Sequence, residues 1–379
     1  MPNTILSIQF DYKTRGAQEN DQASASTIYK ELGYNVIECF IDIGSNKIRL
    51  CPEIEVIKSS YLNIFRIFLR YSLFLLLNFD RSQREFYTFK NFYNITICLQ
   101  SLNNPIVIAE NSDLTFLTFA SPKFRCTRSV NFAPVHNFKE NNLFKGIILF
   151  LPKLVSMILE RMLNNILAVD RKDLSYYKLI PSRKKIEFLP LRNLILNQNI
   201  QVKPLSFSKV EKSFTILAST YSVTHNLKNL SFFYSAFINF KIDNLVFNIY
   251  GSKIPNFDFG AGNFKINGFV EEVDQIFEEN DVFVAMFGGT GMMSKLYEPF
   301  SKGKLVIANP KLFKNSNFLP NIHYLPAQTP YQFISQIAYS ICRPAEVEKY
   351  RIAGFKLFTE IFNEKEQFKR LSIFLNNIR

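Results

Sequence analysis

The chain has 379 residues, 47% of them hydrophobic, with 45 Lys and Arg against 32 Asp and Glu and a formal net charge of +13. That length exceeds one ordinary core and argues for two domains, and the apolar content excludes a disordered chain. The charge favours anionic partners (nucleic acid, acidic lipid or phosphorylated small molecules), while Cys39, Cys51, Cys98, Cys126 and Cys342, with no C-x-x-C pair, offer no metal spacing and read as reduced thiols of a cytosolic chain.

Residues 4–10, "TILSIQF", read as a first strand rather than a signal peptide. "QASASTIYKELG" reads as a helix that stops at Gly33, and "YNVIECFID" as the second strand. Strand, helix and strand in this order predict a parallel sheet. Two apolar stretches follow, at 61–79 and 143–159. Arg66 and Arg70 interrupt the first; Lys145, Pro152 and Lys153 interrupt the second. Neither supplies the roughly 20 uninterrupted apolar residues of a membrane span. They read as core helices or as helices lying on a membrane surface. "NPIVIAEN" and "SVNFAPVHNF" read as strands, and the stretch from Asn165 to Leu191 as strand, short helix, strand. From Lys139 to Lys185 there are ten Lys and Arg against four Asp and Glu, a net +6. Such a stretch is either a solvated face or a patch for anionic headgroups.

Residues 193–211 are polar, carry Pro204 and lack periodicity, which marks a linker. Beyond it the pattern repeats. "FTILAS" is a strand, "LKNLSFFYSAFINF" a helix, "NLVFNIYG" and "FKINGFV" strands, "EEVDQIFEEN" a helix, "DVFVAMF" a strand, and "KLVIANP" a strand after one more helix. Short turns between alternating elements predict a doubly wound sheet. The expected division is one Rossmann-like domain over 1–195 and a second over 205–345. Helices over 346–379 are expected to pack back toward the first.

The stretch "GGTGMMSKLYEPF" joins the strand at 281–287 to that last helix. Gly288, Gly289 and Gly291 allow close backbone approach and positive φ. Free N–H groups at Gly291, Met292 and Met293 and the positive end of the helix dipole then suit a phosphate. A tight strand–helix turn is the plain alternative. For a helix that starts near Gly291, Glu298 stands two turns along, where a carboxylate can accept both hydroxyls of a ribose. Pro299 predicts that this helix bends or is short.

In order along the chain these segments resemble the GT-B glycosyltransferases of the retaining, nucleotide-sugar-dependent kind (glycosyltransferase family 4). The resemblance rests on "GGTGMMSKLYEPFSKGKLVIA", with Gly289, Gly291, Lys295, Glu298 and Gly303, on "INGFVEEVDQIFEENDVFVAMF", and on "LVFNIYGS". "FTILASTYSVTHNLKNLSFFYSAF", "RGAQENDQASASTIYKELGYNVIECF", "NFAPVHNF" and "NILAVDRKDLSYY" extend it over most of the chain. The implied fold is two Rossmann-like domains facing across a cleft. The implied reaction moves a sugar from a nucleoside diphosphate to an acceptor hydroxyl with retention, in cell-surface glycan or polysaccharide synthesis. An inactive nucleotide-sugar or glycan binder, or an epimerase of the same architecture, are the alternatives.

The resemblance implies catalytic roles for His136 and Glu298, although a lone histidine is more often a packed or surface residue. It implies donor contacts from Gly289, Thr290, Gly291, Met292, Met293, Lys295, Glu298, Lys228, Gly251 and Phe269, and acceptor contacts from Gly16, Gln18 and Glu19. Thr290 stands where many members carry a second glutamate, and Lys228 is the one basic residue in the loop that follows the strand at 214–219. No bound metal or cofactor is expected beyond the donor sugar nucleotide, and no nucleic acid. The expected partners are a glycan or lipid-linked acceptor and an anionic membrane surface, placing the protein in the cytoplasm or at the inner face of the membrane.

Overall fold

The computed structural model describes residues 4–11, 17–42, 48–51, 105–110, 125–129, 161–162, 164–169, 171–190, 212–216, 224–238, 245–254, 264–270, 273–287, 294–314 and 316–378, with residues 93, 95, 96, 102, 154, 158 and 195. The chain divides into two compact units. The first contains Met1–Leu196 and Glu364–Arg379; the second contains Asn197–Gly289 and Met293–Asn363.

In the first unit the strands are β1 (Thr4–Asp11), β2 (Asn35–Asp42), β3 (Ile48–Cys51), β4 (Ile106–Ala109), β5 (Arg125–Ser129), β6 (Asn165–Ala168) and β7 (Ile186–Phe188). They form one sheet in the order β3-β2-β1-β4-β5-β6-β7. All neighbours pair in parallel except β2 with β3. Helix α1 (Ala17–Glu31) crosses from β1 to β2 and ends at Gly33, whose φ of +83° only glycine adopts without strain. Helix α2 (Arg171–Lys178) crosses from β6 to β7. A buried polar knot ties α1 to the sheet. Glu110, fully buried after β4, accepts hydrogen bonds from Ser7 Oγ at 2.9 Å and from Tyr29 Oη at 3.1 Å.

The antiparallel edge strand β3 has no counterpart in the sequence reading. The strand expected over "SVNFAPVHNF" meets β5 at Ser129, and residues 130–138 fall outside the described ones. The apolar stretch at 61–79 falls outside them as well. Within 143–159, Leu154 packs against the buried pair Ile166 and Tyr177, so at that point the apolar face meets the unit's own core. Among the described residues no helix is long and apolar enough to cross a membrane.

The second unit holds β8 (Lys212–Ile216), α3 (Thr224–Phe237), β9 (Leu245–Tyr250), β10 (Phe264–Gly268), α4 (Val273–Glu279), β11 (Val282–Ala285), α5 (Ser294–Ser301), β12 (Leu305–Ala308), β13 (Leu325–Pro326), α6 (Pro330–Cys342) and α7 (Pro344–Ile361). Its strand order is β10-β9-β8-β11-β12-β13, all parallel. The order runs outward from β8 in one direction and from β11 in the other, the doubly wound arrangement. Every residue of β11 and of β12 is buried, as a parallel sheet covered on both faces requires. Phe233, Phe237 and Phe247 fill the core on the α3 side. A second aromatic group, Phe300, Phe313, Phe318 and Tyr324, packs with ring centroids 4.4 to 5.8 Å apart.

The segment 346–379 is helical, as the sequence reading expects. It divides: α7 packs on α5 and β12 in the second unit, while α8 (Glu364–Asn377) belongs to the first. Two residues fasten α7 to α5. Arg351, 3% exposed, donates from Nη1 to Gly303 O at 2.8 Å, in the turn that ends α5, and its other guanidinium nitrogens bond Glu348. Gly354 lies where a Cβ would come within 2.7 Å of His323 O and of the Phe300 ring. A glycine inside a helix costs about 0.5–1 kcal/mol relative to alanine, so steric exclusion is the reason for this one. Gly354→Ala is expected to lower stability by about 1–3 kcal/mol, because the backbone carbonyl of His323 cannot swing away. Urea denaturation checks this, and a midpoint equal to wild type would show that α7 lifts without cost.

Candidate functional site

In a doubly wound sheet the ligand crevice opens at the carboxyl ends of the strands, where the order reverses. In the second unit the reversal falls between β8 and β11. The glycine corner follows β11 directly in sequence, and α3 is the helix that follows β8. Of the residues singled out from the sequence, Gly288, Gly289, Thr290, Gly291, Met292 and Met293 lie outside the described residues, as do Gly16 and His136. Gln18 and Glu19 fall in the first turn of α1. Lys228, Gly251, Phe269, Lys295 and Glu298 are all in place in the second unit.

Helix α5 is eight residues long with Pro299 inside it, the short helix that the proline implied. Glu298 stands four residues, about one turn, from the first described helical residue Ser294. Lys295 is not a solvated side chain. It is partly buried, and its Nζ donates to Oδ1 of Asn226, which is 2% exposed in α3. Burial pushes the Lys295 ammonium down to about 8, and the Glu298 carboxylate on the same helix opposes that shift. A cation held beside a carboxylate one turn along is suited to a bound diphosphate and its ribose.

The strand that leads into the corner is held from the same helix. Asn229, 7% exposed, accepts the backbone N–H of Met286 at 2.9 Å and of Phe287 at 2.8 Å through Oδ1. Its Nδ2 donates to Phe287 O at 2.6 Å. Neither asparagine was singled out from the sequence. The available signal was "NLKN" at the start of a helix, two amides three apart where helix interiors disfavour them. Lys228, between them, is exposed and lines an open groove of about 720 Å³ with Phe287, Ser231 and Pro330.

The far side of the carboxyl edge carries Gly251 and Phe269. Gly251, with φ +139°, donates its N–H to Gly268 O at 2.7 Å. Gly268 has φ +73°, and the β9–β10 register shifts between Ile266 and Gly268, so Asn267 occupies a bulge. Asn267 Nδ2 donates to Asn248 Oδ1 at 3.0 Å, Asn248 Nδ2 to Asn280 Oδ1 at 2.8 Å, and Asn280 Nδ2 to Tyr250 Oη at 3.1 Å. Burial raises the Tyr250 phenol to about 12, so it stays protonated and donates to Glu279 at 2.9 Å. This chain of amides fixes the bulge, and Phe269 emerges beyond it 67% exposed. Among the described residues no group of His, Cys, Asp and Glu could hold a metal ion.

Two units of this topology, in this order, are found together in known structures. The structure is similar over 99% of the chain to sucrose-phosphate synthase from Thermosynechococcus elongatus, with a TM-score of 0.68, 11% identity and 98% of that chain covered. The chain has the GT-B fold. A glycosyltransferase from Rickettsia africae ESF-5 matches this GT-B chain over 100% of its length and 98% of its own, at 14% identity and a TM-score of 0.61. HepE of Anabaena, solved in complex with UDP, matches over 99% and 100% at 10% identity and a TM-score of 0.62. No protein-family model matches the sequence, and no curated protein does.

The shifted lysine gives this GT-B chain a defined pH dependence. Unfolded lysine titrates near 10.4. Lys295 titrates near 8 in the folded chain, so between those values the unfolded chain binds more protons and stability rises with pH. The penalty for burying the ammonium is present in full below pH 8. The stability of wild type relative to Lys295→Met is therefore expected to rise by on the order of 1–3 kcal/mol between pH 7.5 and pH 10. Denaturation of both proteins across that range measures it, and a flat difference would place the lysine in water.

Proposed function

We propose that the chain is a glycosyltransferase that moves a sugar from a nucleoside diphosphate to a hydroxyl of a glycan or lipid-linked acceptor, with retention of configuration, in cell-surface glycan or polysaccharide synthesis. The observation that carries this reading is the pairing of Lys295 and Glu298 on α5, directly after a glycine corner at the switch point of a parallel sheet. HepE is solved with UDP and with UDP-glucose, and TarM of S. aureus with UDP and a GlcNAc-glycerol, which supports a nucleotide sugar as donor and a glycan-like acceptor. Negative charge builds on the leaving diphosphate during transfer. Backbone N–H groups of the corner and the ammoniums of Lys295 and Lys228 would stabilise it. Glu298 would hold the ribose, Phe269 would lie against the base, and Gly251 would leave room for the nucleotide at the end of β9. His136 is proposed to face the donor sugar, and Gly16, Gln18 and Glu19 the acceptor.

A panel of UDP- and GDP-sugars tests the activity, read as nucleotide release with and without a membrane extract. Glu298→Ala is expected to weaken nucleotide binding by about 1.5–3 kcal/mol with the fold intact. Equal affinity in the folded variant removes Glu298 from the site. Binding without turnover by any donor favours the inactive binder.

The acceptor is proposed to be presented at an anionic membrane surface. Arg183 and Lys185 are exposed beside β7, whereas Arg161 of the same basic stretch is 5% exposed and donates to Tyr177 O and Lys184 O. Co-sedimentation with anionic but not neutral vesicles is expected, weakening with salt and lost when Lys172, Arg183, Lys184 and Lys185 become Gln. Equal recovery in the supernatant with both vesicle types favours a soluble acceptor.

A further inference from the structure

We infer that the loop joining α2 to β7, at the amino edge of the first unit's sheet, is a docking tip that seats Leu179 at the acyl boundary of an anionic bilayer while its cations meet the headgroups. The inference deepens the membrane reading above and rests on it. β6 and β7 run parallel, so α2 carries the chain back from the carboxyl end of β6 to the amino end of β7. The loop from Leu179 to Lys185 therefore lies at the edge opposite the one where such sheets receive ligands. Leu179 is 78% exposed, while its neighbour Ile180 packs on the buried pair Ile166 and Tyr177. Met162, shortly before β6 in the chain and so at the same edge, is 53% exposed.

The loop is braced from below. Arg161, 5% exposed, donates from Nε to Tyr177 O at 3.2 Å and from Nη1 to Lys184 O at 2.8 Å. One guanidinium thus bridges the last turn of α2 and the residues that enter β7. The backbone N–H of Lys185 donates to Asn165 Oδ1 at 2.9 Å, and that of Ile166 to Lys185 O at 2.9 Å. An exposed leucine by itself is ordinary on a protein surface. This one stands among Lys178, Arg183, Lys184 and Lys185, with no Asp or Glu from Leu174 to Ile186. Glu187, the next acid, turns its Oε1 to the backbone N–H of Phe188 at 3.3 Å. Arg161 adds a fifth cation beneath the loop, and like charges gathered in this way are relieved by an anionic surface. An acidic protein or a polyanion would match the charge alone. Cations set around a protruding apolar side chain match the boundary between headgroups and acyl chains, which offers a place for both.

The chain has no tryptophan, so a Leu179→Trp variant carries its own fluorescent probe. Its emission is read with vesicles of mixed phosphatidylglycerol and phosphatidylcholine, with vesicles of phosphatidylcholine alone, and with heparin, a polyanion without acyl chains. A Tyr331→Trp variant, changed at a side chain 77% exposed in the second unit, is the control. With the anionic vesicles the Leu179→Trp emission is expected to move to shorter wavelength and to be quenched by brominated acyl chains, the shift fading as salt rises. The control should do neither. Leu179→Gln, at a site too exposed to carry the fold, is expected to bind the anionic vesicles about tenfold more weakly than wild type. Wild type that co-sediments with those vesicles while the Leu179→Trp emission stays unshifted overturns this inference and leaves the membrane reading standing. An equal shift with neutral vesicles or with heparin also overturns it, since the first lacks the charge and the second the acyl chains. Wild type that stays in the supernatant with both vesicle types overturns the membrane reading and this inference together, and leaves the glycosyltransferase reading untouched.

Discussion

The second unit depends on one constraint: β8 and β11 are neighbours in the sheet although β9 and β10 come between them in sequence. Parallel strands need crossovers, and crossovers in the two directions from this pair leave a gap above their carboxyl ends. Among the described residues, those assigned to the donor lie on the elements of this unit. The glycine corner leaves β11, α3 follows β8, and the Gly251–Gly268 contact closes the edge beyond β9. A sheet with sequential strand order would present the same loops without a crevice to receive a ligand.

Around that constraint the chain uses two materials for different purposes. Aromatic side chains fill volume. Phe233, Phe237, Phe247 and Phe333 pack on one side of the sheet, and Phe300, Phe313, Phe318 and Tyr324 on the other. Asparagine amides set positions. Asn226 and Asn229 fasten α3 to α5 and β11, and Asn248, Asn267 and Asn280 fasten the edge strand β10 through its bulge. Apolar packing is tolerant of small displacements, whereas an amide with both ends bonded fixes distance and direction. The amides are concentrated where a ligand would need the backbone placed accurately.

Helix α5 shows how the supports add up. Pro299 removes one of its backbone donors, and eight residues are too few for a helix to persist alone. Its C-terminal turn is held by Arg351, its apolar face by the close approach of Gly354, and its first turn by the bond from Lys295. The side chains that the resemblance assigns to the nucleotide therefore project from a helix stabilised almost wholly by tertiary contacts.

The sequence by itself determined the alternation of strands and helices, the two-unit plan and the strand–glycine–helix corner with Lys295 and Glu298. These follow from local rules: apolar runs of strand length, helix periodicity, and glycine where backbone freedom is needed. It did not disclose β3, whose pairing with β2 is antiparallel and whose four residues "IRLC" carry no strong pattern. Nor did it disclose the burial of Lys295 or the partners of Asn226 and Asn229. The two asparagines bond groups 57 to 69 residues away. An amide in sequence is equally a cap, a turn residue or a surface residue. Only the tertiary structure decides which backbone it meets, because hydrogen bonds are directional and short, and the fold alone brings those distant groups within reach.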